Sequence, residues 1–285
     1  MSARSEHASP AVLNDVEDGM PPEPIFVLGS PRSGTTLAGA WLGSHPSVYA
    51  MGEYSAFVFA YATAPAGYTR TRPPYAERYL RELQNHAAEF AGRLATERGA
   101  RFFCDSTPWN LLVADTLAEL YPSARFVLTL RHYAGVIQSL ERSYRRRYLW
   151  AGATPVDRAS VWAAVYERAA ALPADRTTVF SYDELCADPD GTIARWRSAL
   201  ARIGVDPAGL DDRVFLRSYA GGWDDQRRTV ATRTGGRVEF APIPSVDPER
   251  WSEALDTEVR PVVGEVDRML RQRFSEYATP PCAVS

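Results

Sequence analysis

The 285-residue sequence predicts an α/β fold of three layers, a central parallel sheet of about five strands flanked by helices. Three observations carry that expectation. Short apolar runs recur along the chain, each the length of a strand rather than of a helix. Helical segments alternate with them, as strands running in one direction require. Each run stops at a turn that carries an unusual polar side chain, the pattern of an open sheet with its ligand crevice at the carboxyl ends of the strands.

Residues 1–22 are polar and acidic with no apolar run, which reads as a flexible leader and not a signal peptide. Ile25–Leu28 is the first strand, followed by a loop of small residues and a helix over Leu37–Ser44. Val48–Met51 is a second short strand, ended by Gly52 and Glu53. Residues 61–74, rich in Ala, Gly, Thr and Pro, read as a surface loop. An amphipathic helix follows over Pro74–Glu97, with Leu80, Leu83, Ala87, Phe90 and Leu94 on one face. Arg101–Cys104 is the third strand, and Ser106 or Thr107 before Pro108 starts a helix that continues to Leu120. Arg125–Leu130 is the clearest strand; it stops at Arg131, and a helix opening near Tyr133 carries Ser139. Helix Val156–Leu172 turns Val161, Trp162, Val165, Ala169 and Leu172 inward. Thr177–Phe180 is the fifth strand, and a helix covers Asp190–Ile203. Residues 220–245 are Gly- and Arg-rich without an apolar period, hence a long loop. The last helix, Pro248–Phe274, is expected to bend or restart at Pro261. No repeat or linker interrupts this, so residues 23–277 read as one domain, with a tail over 278–285.

The bulk properties exclude several classes. A net charge of −3 gives no global attraction to nucleic acid or anionic membrane. No stretch approaches the roughly 20 apolar residues of a membrane span. Cys104, Cys186 and Cys282 are scattered without metal-ligand spacing, consistent with a reduced, cytoplasmic protein.

The chemistry gathers on the first loop. Pro31, Arg32, Ser33, Gly34, Thr35 and Thr36 lie between a buried strand and a helix N-terminus, where successive backbone N–H groups converge on an anion. Gly29 and Gly34 have the Walker spacing, but Thr35 stands where that motif needs lysine, and all 32 basic residues of the chain are arginine. A phosphorylated ligand fits this loop; a magnesium-bound nucleoside triphosphate does not. A second anion site pairs Arg131 with Ser139, eight residues on. Glu53, Asp105 and Tyr182 end neighbouring strands, so the same crevice collects them. Two phosphate sites at adjacent strand ends suggest a nucleoside with phosphates at both ends.

These motifs resemble those of sulfotransferases that use 3′-phosphoadenosine 5′-phosphosulfate (PAPS), a family with a P-loop-type fold. The likeness covers Pro31 to Thr36, the segment Arg125 to Ser143, and Tyr182 to Leu185 followed by Asp188 and Pro189. The segments His45 to Glu53 and Cys104 to Asn110 are closer to the tyrosylprotein and bacterial branch. The resemblance implies that the loop holds the 5′-phosphosulfate and that Arg131 and Ser139 hold the 3′-phosphate. It implies that Arg32 neutralises charge on the bridging oxygen and that Glu53, with Asp105 as second candidate, is the base. It also implies adenosine 3′,5′-bisphosphate as product and no metal, and places Tyr182, Arg227 and Arg228 at the nucleotide. Ser106 departs from the lysine or histidine of many relatives, and an arginine from residues 220–237 is the candidate substitute. The expected acceptor is a small-molecule hydroxyl, on a specialised metabolite or a glycolipid; a homodimer is the oligomer considered.

Blander roles compete for several positions. Glu53 can be a solvated loop acid, Asp105 a helix cap, and His132 a structural histidine. Trp41, Trp162 and Trp196 read as core, and Arg142 to Arg147 as a solvated helix face, with binding of a nucleotide or an anionic acceptor as its alternative. The competing functions are a P-loop nucleotide kinase and a non-catalytic nucleotide-binding protein.

Overall fold

The computed structural model describes residues 21–62, 76–214 and 246–277. Strands β1 (Glu23–Gly29), β2 (Val48–Gly52), β3 (Phe102–Asp105), β4 (Arg125–Leu130) and β5 (Thr177–Ser181) form one sheet in the order β2-β3-β1-β4-β5. Every neighbouring pair is parallel. The expected α/β class and parallel sheet are what the structure shows, and each strand lies within two residues of its expected bounds. β1 is central because its run is apolar on both faces, and the chain leaves it for β2 on one side and returns to β4 on the other. That reversal opens a crevice beyond the carboxyl end of β1.

Successive strand residues point to opposite faces. Ile25 and Val27 therefore join one core, with Trp41, Phe180 and Trp196. Phe26 and Leu28 join the other, with Phe57, Phe126, Trp162 and Tyr166. The first core is packed by helices α1 (Thr35–Leu42) and α8 (Pro189–Arg202), where the Phe180 and Trp196 rings stack at 4.1 Å. The second lies under α2 (Ala56–Ala62), α3 (Ala76–Glu97), α4 (Ala114–Leu120), α5 (Tyr133–Arg145) and α6 (Pro155–Tyr166). A short α7 (Tyr182–Ala187) follows β5, and α9 (Glu253–Arg273) closes the same side as α6.

The structure corrects five expectations. α2 extends to Ala62, into the first residues of the segment 61–74 read as a surface loop; residues 63–75 lie outside the described residues, as do 1–20, 215–245 and 278–285. On α3 the buried stripe is Ala87, Ala91 and Ala95, while Phe90 is exposed. Small residues at i, i+4 and i+8 let the helix approach the sheet, and the larger side chains turn to its flanks. The segment after Pro108 is a 3-10 helix to Val113 before α4 begins, because Pro108, Asn110, Leu111 and Val113 are all buried and no single α-helical face holds them. Helix α6 likewise tightens to 3-10 winding over Glu167–Ala171, which keeps Ala169 and Leu172 buried. α9 runs unbroken through Pro261. Val259, Val263 and Leu270 are buried along one side, whereas Pro261 and Thr257, whose carbonyl loses its helical partner, are exposed residues on the side away from the core.

Candidate active site

The loop after β1 is fixed by contacts that local sequence does not show. Gly29 has φ 154° and sits opposite Thr129 in β4; a Cβ there would lie 2.4 Å from the Thr129 hydroxyl. Thr129 Oγ1 donates to the Leu28 carbonyl at 2.9 Å, so Ser33 Oγ is the donor in its 2.7 Å contact with Thr129 Oγ1. The Ser33 N–H closes a turn onto the Ser30 carbonyl at 3.0 Å. Ser33 is thus buried and faces the sheet; its hydroxyl shapes the loop rather than reaching into the crevice. Tyr166 completes this support, its hydroxyl donating to the Thr129 carbonyl at 2.7 Å.

Two residues with positive φ then aim the loop. Arg32 has φ 74° and Gly34, the N-cap of α1, has φ 104°. A Cβ on Gly34 would meet the Tyr182 ring tightly, at 3.0 Å, and the positive φ strains any other residue there. No side chain caps α1, and the first N–H groups of a helix have no intrahelical partner, so the Thr35 and Thr36 end offers donors to an anion. Pro31 and Thr35 are buried, and Thr36 is half-buried.

The two expected phosphate sites prove to be linked. Arg32 Nε donates to Ser139 Oγ at 3.1 Å, and Arg131 Nη1 donates to the Arg32 carbonyl at 3.0 Å. Arg131 is buried, with its guanidinium 4.4 Å from the Tyr182 ring centroid. Trp162 Nε1 donates to the Arg131 carbonyl at 3.1 Å, and the His132 N–H donates to Asp183 at 2.8 Å. These bonds lock the β4 exit to α6 and α7. Burial lowers the Arg32 pKa most, and repulsion from Arg131, Arg142 and Arg146 adds to it, with Glu53 opposing. Arg142 is depressed by burial and then by Arg131. The arginines of the run Arg142 to Arg147 are exposed, and Arg142 and Arg146 add positive charge on the Arg32 side. Their signal in sequence was the recurrence of arginine within two turns after Ser139.

The carboxylates differ in kind. Asp105 is wholly buried. Its Oδ1 accepts from Thr107 N at 2.9 Å, Thr107 Oγ1 at 2.6 Å and Tyr54 N at 3.2 Å; its Oδ2 accepts from Asn110 Nδ2 at 2.8 Å. Four donors hold this carboxylate, and through it the β2 and β3 exits are tied together. Glu53 is open to the crevice. The protein around it raises its carboxyl above the ordinary value, Asp105 reinforces this, and Arg32 opposes it. Ser106 is buried where α1 comes close, and a Cβ on Gly39 would lie 2.6 Å from the Ser106 Cβ. His132 is buried with its Nδ1 accepting from Ala134 N at 3.3 Å, a helix cap, as the structural reading expected. Arg227 and Arg228, with the arginines of 220–237, lie outside the described residues.

A cation cluster at a helix N-terminus, with a raised carboxyl near it, offers donors and positive charge to an anionic ligand. The chain belongs to the sulfotransferase family, whose family model matches residues 24–201. Among curated proteins it is 28% identical over 221 residues to nodulation protein NoeE of Sinorhizobium fredii, covering 65% of this chain and 51% of that one. It is 34% identical over 119 residues to a putative protein-tyrosine sulfotransferase of Caenorhabditis briggsae, covering 41% of this chain and 42% of that protein. The alignments thus span about half or less of these relatives. Among solved structures, a sulfotransferase domain from the curacin biosynthetic pathway superposes with a TM-score of 0.51 at 20% identity, covering 91% of this chain and 99% of that one. A sulfotransferase from Alicyclobacillus acidocaldarius gives 0.50 at 17% identity, covering 92% and 100%. Both share the fold. Among the described residues no helix is long and apolar enough to cross a membrane.

Proposed function

We propose that the chain transfers the sulfuryl group of PAPS to the hydroxyl of a small-molecule acceptor. One observation carries the reading: Arg32, joined to both Ser139 and Arg131, stands against Glu53, whose carboxyl is raised, within one crevice. Arg32, Arg131 and Arg142 repel one another, so a ligand with a phosphate at each end relieves a strain that the described carboxylates leave in place. PAPS supplies the activated sulfuryl group, with the 5′-phosphate as leaving group. Glu53 takes the proton of the acceptor hydroxyl as its oxygen bonds to sulfur. Arg32 neutralises the charge left on the bridging oxygen, and as a guanidinium it does so without donating its proton. The Thr35 and Thr36 end of α1 and the loop N–H groups hold the 5′ end, and Arg131, Ser139 and Arg142 the 3′ end. The products are a sulfate ester and adenosine 3′,5′-bisphosphate, and no step asks for a metal ion.

The likeness to proteins named as tyrosine sulfotransferases favours a second acceptor, the tyrosine hydroxyl of a polypeptide. Calorimetry with adenosine 3′,5′-bisphosphate and with magnesium-ATP tests the donor, and label transfer from radioactive PAPS to alcohols, phenols and a tyrosine peptide tests the acceptor. Binding of the bisphosphate with transfer to a small hydroxyl compound is the expected result. Saturation by magnesium-ATP alone would return the kinase reading, and labelling of the peptide alone would move the acceptor to protein.

A further inference from the structure

Beyond the crevice, the turn after α5 leaves large apolar side chains in water. Leu149 is 77% exposed, Tyr148 55% and Trp150 45%. The Trp150 ring meets Trp109 edge-on at 5.7 Å and lies 6.2 Å from Tyr148. This is not a loose segment. Tyr148 N bonds the Ser143 carbonyl at 3.2 Å and Ala151 N the Tyr148 carbonyl at 3.0 Å. Arg158, itself buried, donates to the carbonyls of Gly152 at 3.1 Å and Ala153 at 2.9 Å. A pinned turn that displays three big apolar residues is built to meet something.

Its position says what. Trp109 belongs to the β3 exit, where Thr107 Oγ1 accepts from Ser55 N at 2.9 Å and Asp105 accepts from Tyr54 N; Glu53 is the residue before that pair. On the other flank, Arg146 caps α5 about two turns beyond Ser139, the residue that accepts from Arg32 Nε, and on the same side of the helix. The aromatic ridge therefore runs from the Glu53 side of the crevice to the Arg32 side. Arg146 and Arg147 are exposed, and neither has an acidic side chain within ion-pair distance among the described residues, while Arg145 is matched by Glu141.

We propose that Trp109, Trp150 and Tyr148 form the acceptor wall, and that the acceptor is a small planar aryl compound carrying an anionic group that Arg146 and Arg147 meet. This rests on the sulfuryl-transfer reading for the direction of the hydroxyl, but not for the binding itself. The ring lies against Trp150, the anionic group reaches the arginines, and the hydroxyl faces Glu53. Trp and Tyr supply flat contact area at little entropic cost, and cation and ring together select a planar anion.

Equilibrium dialysis with adenosine 3′,5′-bisphosphate present tests this, using hydroxynaphthoate, naphthol, hydroxyhexanoate and a tyrosine peptide as probes. Hydroxynaphthoate is expected to bind best, by about tenfold over naphthol and hydroxyhexanoate. Trp150→Ala should weaken it about tenfold and raise KM with kcat unchanged, while bisphosphate binding stays as in wild type. Arg146→Ala combined with Arg147→Ala should abolish the preference over naphthol. Equal binding to wild type and Trp150→Ala, equal binding of hydroxyhexanoate, or tighter binding of the peptide would each overturn the proposal. Selective naphthoate binding without sulfuryl transfer to any compound upholds the wall and counts against the transferase reading alone.

Discussion

The two flanks of the crevice are built on different principles. On the β1–β4 flank nearly every functional group is braced by a buried hydrogen bond: Ser33 to Thr129, Tyr166 to Thr129, Trp162 to Arg131, His132 to Asp183. On the β2–β3 flank the bracing is confined to Asp105 and its four donors, and what faces the crevice, Glu53 with the Trp109–Trp150 ridge, is partly or wholly open. A flank fixed through the core suits a constant ligand. Open groups standing on fixed turns suit a ligand whose shape changes from one protein to the next.

The largest test strikes the fixed flank. Arg32→Ala should lower kcat/KM by about 10²–10³-fold, the usual cost of losing one stabiliser of developing charge, and should also weaken bisphosphate binding. A comparable rate with the variant would break the comparison, because the braced loop would then serve nothing at its tip. Glu53→Gln should lower kcat by about a hundredfold with bisphosphate affinity intact. A base acts ionised, and the surrounding protein, reinforced by Asp105, raises this carboxyl, so wild-type kcat/KM should fall with acid from above pH 4.5, while the variant loses that limb. A flat wild-type profile across that region would remove Glu53 from the chemistry.

Asp105 sharpens the contrast between a structural and a reacting acid. Asp105→Ala strands the donors of Tyr54, Thr107 and Asn110 and should cost about 3 kcal/mol of stability by denaturant unfolding. Asp105→Asn should cost about 1 kcal/mol or less and retain kcat, because Asn110 Oδ1, buried without a hydrogen-bond partner, can turn to accept from the new amide. Burial raises the Asp105 carboxyl, so its ionisation opposes folding. Stability should therefore decline as pH rises through that raised value, and Asp105→Asn should flatten the decline. Tyr166→Phe is the mildest change, about 1 kcal/mol for one buried bond, with bisphosphate affinity reduced only as far as the loop loosens.

Strands and strand-end residues were legible because apolar runs bounded by small or charged residues are local signals. The direction of a side chain was not. Nothing near Ser33 announces Thr129, 96 residues on, and nothing near Asp105 announces the backbone of Tyr54, 51 residues before it. The same blindness misjudged α3: periodicity finds an apolar face, but only the neighbouring sheet decides that alanines, not Phe90, lie against it. The 148–150 ridge left no mark in the sequence pattern, since proximity of Trp150 to Trp109 has no sequence period.

Arg32 adopts a left-handed conformation that glycine takes without penalty, and it does so beside three like charges. Such a conformation costs a non-glycine residue about 1–2 kcal/mol. Arg32→Gly should therefore melt at a higher temperature than wild type while losing its turnover. A screen that ranks variants by heat tolerance alone would promote an inert protein at this position.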